Sequence, residues 1–188
     1  MLSFFSQLLT AFGLSSASGL NAYIPLFIVA LAARNTNLIT LNPPFDVLTN
    51  DWVIGALGVL LVIEMIVDKI PAADTINDLF QTFVRPVAGA VLFAASTNVI
   101  NLHPVLAVIA GLVLAFSVHA VKATARPVVT ASTLGVGNAA VSVAEDVTSV
   151  VVSLLALLAP IVVGVVVVVV IVLLVLWRFG GERAPARR

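Results

Sequence analysis

Six long apolar runs, joined by short connections that hold nearly all the charge, constrain this chain more than any motif within it. They lie near Leu2 to Ala33, Trp52 to Lys69, Pro86 to Ile100, Pro104 to Val121, Pro127 to Val143 and Thr148 to Trp177. With 61% of residues hydrophobic, 10% charged and a mean hydropathy of +1.20, the chain carries more apolar surface than it can hide inside itself. No connection is long enough to build a soluble core, so residues 1–188 are expected to form a single integral membrane domain. The expected fold class is all-α, a polytopic transmembrane helical bundle of about six spans, because backbone in lipid must satisfy its own hydrogen bonds. Even the Val- and Ile-rich stretch Ile161 to Val175 is expected to be helical for that reason.

Charge supplies the orientation. Lys69 and Arg85 lie between the second and third runs, Lys122 and Arg126 between the fourth and fifth, and Arg178, Arg183, Arg187 and Arg188 in the tail 178–188; only Arg34 lies opposite. Since cationic connections stay on the cytoplasmic side, both termini are expected inside, with Asn35 to Asp51, Asn101 to His103 and Glu145 to Asp146 outside. The first run lacks the basic start and cleavage site of a signal peptide and is expected to be retained. The absence of cysteine removes disulfides, thiolate metal sites and cysteine nucleophiles from consideration.

A straight helix crosses the ~30 Å hydrocarbon core in roughly 20 residues. Leu2 to Ala33 exceeds that, and Ser15 to Asn21, followed by Pro25, marks the expected break, giving a discontinuous or re-entrant first helix. Pro160 and Gly164 offer a kink in the last run. Arg85-Pro86 and Arg126-Pro127 open two runs alike, each after a run ending in lysine, so each proline is expected at a helix's first position and the two hairpins read as a possible duplication about an axis along the membrane normal. Between Lys69 and Arg85 of the first hairpin, 74–83 reads as an interfacial helix with Ile76, Leu79, Phe80 and Phe83 on one face.

Three runs carry small and polar residues that end in asparagine: Ser15 to Asn21, Ala94 to Asn98 and Ala131 to Asn138. Such clusters allow close helix packing. They can also line a polar path, and the candidates for it are Ser18, Asn21, Asn98, Thr133 and Asn138. Ionisable residues inside a bilayer are costly unless paired or wet, which singles out Glu64, with Asp68 one turn on and His119 at comparable depth in the other hairpin, as the coupling proton or cation site. Lys69, Arg85, Lys122 and Arg126 are expected to form a basic rim at the cytoplasmic edge, able to attract an anionic solute or to anchor topology.

No zinc-protease, nucleophile-elbow or Walker signature is present, and no cofactor or nucleic acid is called for. Ser18-Gly19-Leu20-Asn21-Ala22-Tyr23, Glu64 through Asp68-Lys69-Ile70-Pro71, and Arg85-Pro86 together resemble a family of small bacterial integral membrane proteins catalogued as domain of unknown function 4126. The resemblance covers most of the chain. It implies a multi-pass protein of a bacterial plasma membrane and supplies no activity, so no catalytic residue is carried over. The leading expectation is a small transporter or channel for an ion or small solute, working as a homodimer. The alternatives are a non-catalytic scaffold or lipid-interacting subunit, and a metal-dependent lipid-modifying enzyme using Glu64, Asp68, Asp74, Asp78 and His119.

Overall fold

The computed structural model describes residues 2–97, 102–134 and 136–180. Among them the chain is all-α: α1 (Leu2–Leu20), α2 (Tyr23–Asn35), a 3-10 turn (Phe45–Thr49), α3 (Asp51–Val67), α4 (Pro71–Thr97), α5 (Pro104–Thr133), α6 (Val136–Leu158) and α7 (Pro160–Gly180). Helix α1 is the hub, touching α2, α4, α5, α6 and α7. Stretches of α4 (Asn77–Thr97), α5 and α6 are long and apolar enough to cross a membrane, while α2 and Pro160–Leu173 are shorter apolar helices. The chain is a helical membrane bundle.

The expected break falls at Asn21. Its side-chain oxygen accepts from the first two amides of α2, Tyr23 N and Ile24 N, each at 3.0 Å, and so starts a second helix where the first has ended. Pro25 then sits in the first turn, where its missing amide costs nothing. Helix α1 runs antiparallel to α6, with Thr10 beside Ala156, Ala17 beside Ser149 and Asn21 beside Asp146. Helix α2 runs the other way, its Ile28 to Asn35 meeting Leu154 to Leu158. The pair is therefore a hairpin with Asn21 at its tip, and Ser6 and Gln7 share a recess with Asn37 to Thr40. A single pass from Leu2 to Ala33, which would separate the start of α1 from Asn35 to Asp51, is corrected by this reversal.

Other boundaries differ for one reason: charges read as loop markers are buried and paired. Helix α4 runs through Pro86 and α5 through Pro127, so neither proline begins a helix. The chain turns at Leu134, in the left-handed region with φ 53°. Because α4 and α5 are antiparallel, with Arg85 beside His119 and Asp78 beside Arg126, the two Arg-Pro segments run in opposite senses and the axis along the membrane normal is not observed. Residues 74–83 are no separate interfacial helix but part of α4, whose Leu79, Phe80 and Phe83 face outward while Gln81 and Arg85 face inward. Glu145 and Asp146, expected in an outer loop, lie mid-way along α6, and the last run breaks outright at Pro160. The tail 181–188 lies outside the described residues.

The distribution of side chains is inverted relative to a soluble bundle. Val59, Ile63, Ile109, Val113, Val151 and the whole of Val165 to Val170 point outward, whereas Arg85, Glu64, Asp68 and His119 are at most 3% exposed. Only a hydrocarbon surrounding makes that arrangement favourable. Small residues bring the backbones together: a Cβ on Gly89 would come within 2.7 Å of Gly111 O and 2.9 Å of Ser18 Oγ, while Gly55 on α3 has open space. Gly89→Ala is expected to cost about 1–3 kcal/mol by overpacking. Gly55→Ala should be neutral or stabilise by up to ~1 kcal/mol through helix propensity. Thermal unfolding of both variants in detergent checks the contrast; equal loss at the two sites would reject the close crossing.

Candidate functional site

The hairpin tip, the end of α3 and the middles of α4, α5 and α6 converge on a buried polar cluster. Its centre is Arg85, fully buried, whose Nη2 donates to Glu64 Oε1 at 3.3 Å and whose Nη1 donates to His119 Nδ1 at 3.0 Å. A guanidinium cannot accept, so Nδ1 bears no proton and Nε2 carries it. Nε2 then donates to Thr82 Oγ1 at 3.0 Å, and Thr82 passes its own hydroxyl to Asp78 O at 2.8 Å. His119 is thus held as the neutral Nε2-H tautomer, oriented at both ring nitrogens.

A second knot surrounds Arg126. Nη1 meets Asp78 Oδ2 at 2.8 Å and Nη2 meets Glu145 Oε2 at 3.3 Å, with Asp68 Oδ2 at 3.9 Å. Glu145 Oε2 also takes Lys122 Nζ at 2.8 Å, and Nζ reaches the terminal carbonyl of α1, Leu20 O, at 3.4 Å. A cation there answers the unpaired carbonyls at a helix end. Asp68 accepts from Asn77 Nδ2 at 2.7 Å and Ser142 Oγ at 3.3 Å. Asp78 Oδ1 lies 3.8 Å from Arg85 Nη1 and joins the two knots. Beside them Asp146 Oδ1 accepts from Asn21 Nδ2 at 2.9 Å. Among the described residues, no three of His, Asp and Glu are arranged to hold a metal ion.

Among the described residues five carboxyl groups, Glu64, Asp68, Asp78, Glu145 and Asp146, therefore face three buried side-chain cations, Arg85, Lys122 and Arg126, while the exposed Lys69 also acts on Asp146. Glu64 Oε2 and Asp146 Oδ2 are buried with no hydrogen-bond partner among the described residues. A cavity of about 480 Å³ lined by Asp78, Ala123, Arg126, Pro127, Thr130, Ala131 and Asn138 borders the Arg126 knot.

The expected coupling residues Glu64, Asp68 and His119 all lie in this cluster. Of the expected basic rim, Arg85, Lys122 and Arg126 are its centre rather than an edge, because carboxylates from other helices draw them inward; Lys69 is exposed and donates to Met65 O. The expected path residues do not form one line. Ser18 donates to Ser15 O at 2.7 Å within its own helix and Asn21 joins the cluster, whereas Thr133 and Asn138 are at the α5–α6 turn, where Thr133 donates to Val129 O and Asn138 accepts from Thr130. Asn98 lies outside the described residues. Sequence reasoning grouped Asp78 with Glu64, Asp68 and His119 only in the metal-dependent alternative, and passed over Glu145, Asp146 and Ser142 as cluster members. The signal for α6 was present in Ser142, Asp146, Ser149 and Ser153, which recur at steps of four, three and four residues, one helical stripe of polar groups in an apolar run and buried throughout.

Arg85→Met would leave Glu64 buried without its cation and is expected to destabilise by about 3–5 kcal/mol. Adding Glu64→Gln should recover most of that loss. Unfolding midpoints of wild type, both single variants and the double variant test it; a double variant no better than Arg85→Met alone would sink the pairing.

No curated protein and no solved structure matches the chain. Residues 8–179 match the family model described as Domain of unknown function (DUF4126). With nearly its whole length inside that match and the three marker segments each built into the bundle, the chain belongs to the DUF4126 family.

Proposed function

We propose that the protein is a small transporter or channel whose buried carboxyl cluster binds a proton or small cation during transport. The observation that carries this reading is the excess of carboxyl groups over cations. Among the described residues, five ionised carboxylates against the three buried cations and the exposed Lys69 would still leave net negative charge in a low-dielectric interior, which is expensive. Bound protons or a bound cation remove that cost, and the cavity beside Asp78 and Arg126 is, in this reading, their way in. His119, held between Arg85 and Thr82, is positioned to relay a proton toward Glu64 through Arg85's surroundings only if Arg85 moves, so Arg85 is the gate of the scheme. An anionic substrate is less well supported, since Arg85, Lys122 and Arg126 are already engaged by carboxylates. In this reading the working unit is a homodimer in a bacterial plasma membrane, with the cluster end of the bundle toward the cytoplasm.

A scaffold reading draws on a different observation. The hydroxyls of Thr10, Ser15 and Ser149 donate to Ala156 O, Gly89 O and Ala17 O on neighbouring helices, as helix-joining groups do. Proteoliposome flux separates the two. Wild type is expected to pass protons or a monovalent or divalent cation down an imposed gradient, and Glu64→Gln and Asp78→Asn to lower that flux at least about tenfold while remaining folded. No flux of any ion, with the variants merely less stable, would overturn transport in favour of the scaffold.

A further inference from the structure

The five carboxyl groups of the cluster are not equally placed. Glu64 meets Arg85 at 3.3 Å, Asp78 meets Arg126 at 2.8 Å, Glu145 meets Lys122 at 2.8 Å, and Asp68 lies 3.9 Å from Arg126. Asp146 is in no ion pair among the described residues. It is 7% exposed; its Oδ1 accepts from Asn21 Nδ2 at the hairpin tip, and its Oδ2 is buried with no hydrogen-bond partner among the described residues. The charges that act on it from further off are Asp68 at the end of α3, Lys69 just beyond it and Lys122 on α5. Its chain neighbour Glu145 is engaged by Lys122 and Arg126, and α1, packed along α6, carries no charged residue.

A buried carboxylate without a contacting cation is the costliest member of such a cluster, and an unpaired hydroxyl in its place costs far less. Neutralising Asp146 also settles the charge count. Among the described residues, four carboxylates then stand against Arg85, Lys122, Arg126 and Lys69. A metal ion is a poor means of doing so, because it needs several oxygens turned to one point. The carboxylate oxygens in contact are turned instead to Arg, Lys, Asn and Ser donors, and no three of His, Asp and Glu among the described residues converge. A proton needs one lone pair and no cavity. Placed on Oδ2 it leaves Oδ1 to Asn21.

We propose that the ion taken up by the cluster is a proton and that Asp146, facing the tip of the α1–α2 hairpin, is the carboxyl that holds it. The proposal rests on the ion-binding reading above and narrows it to one ion and one residue.

Infrared spectra near neutral pH test it without a transport assay, with the protein in ether-linked lipid so that no ester carbonyl overlaps. Wild type is expected to show the carbonyl band of a protonated carboxyl. That band is lost in Asp146→Asn, kept in Glu64→Gln and unchanged by sodium, potassium or magnesium. Asp146→Asn retains the shape and neutrality of the protonated side chain and is expected to fold; the comparison of cations uses wild type alone and stands even where a variant does not fold. No such band in wild type, a band that survives Asp146→Asn, or a band that any of the three cations abolishes overturns the proposal. Proteoliposome flux is read separately. The band without proton flux keeps Asp146 as the proton site and ends the transport reading, whereas cation flux without the band keeps transport and ends this proposal.

Discussion

A guanidinium with no solvent exposure, Arg85, is the interaction on which the rest of the bundle depends. Its charge is tolerable because other helices bring partners to it, Glu64 from α3 and His119 from α5, beside Asp78 of its own helix. Helix α3 shows the dependence most clearly. It buries little besides Leu57 and Glu64, presents Val59, Val62, Ile63 and Ile66 outward, and is tied to the bundle at its far end by Glu64 and by Asp68. A helix that gains little from apolar packing in lipid can be held by a few buried polar contacts, because the alternative is to leave those groups unpaired in hydrocarbon.

The same economy explains the two antiparallel prolines. Pro86 and Pro127 each forfeit a backbone hydrogen bond inside a helix, a loss tolerated in membrane helices where neighbours can satisfy the freed carbonyl. Each follows an arginine that is turned into the cluster, so the residue pair that resembles a helix start marks instead the level at which α4 and α5 meet the ionic knots.

The sequence carried the all-α membrane class, the break near Asn21 and the inward position of Glu64, Asp68 and His119, because long apolar runs and isolated charges are local signals. It misled wherever a charge could be either exposed or paired. Arg85, Arg126, Glu145 and Asp146 read as loop residues when each is taken with its neighbours in the chain. Their partners lie 21 residues away for Arg85 and Glu64, 48 for Arg126 and Asp78, and 125 for Asp146 and Asn21, beyond any local window. Asn21 was legible as a break, with continuation and turn-back both left open, since nothing in Ser15 to Pro25 says in which direction the second helix leaves.

That hairpin bears on how the protein is made. Its tip, Asn21, finds Asp146 and the carbonyl of Leu20 finds Lys122 only across more than a hundred residues of chain. When the ribosome has released α1 and α2, neither partner has been synthesised, and the polar tip has no reason to stay at its final depth. The tip must wait, near the lipid surface or loosely inserted, until α5 and α6 have followed. The contact of Ser15 with Gly89 needs only α4, so α1, the hub of the finished bundle, can be held along its middle before its tip has any partner.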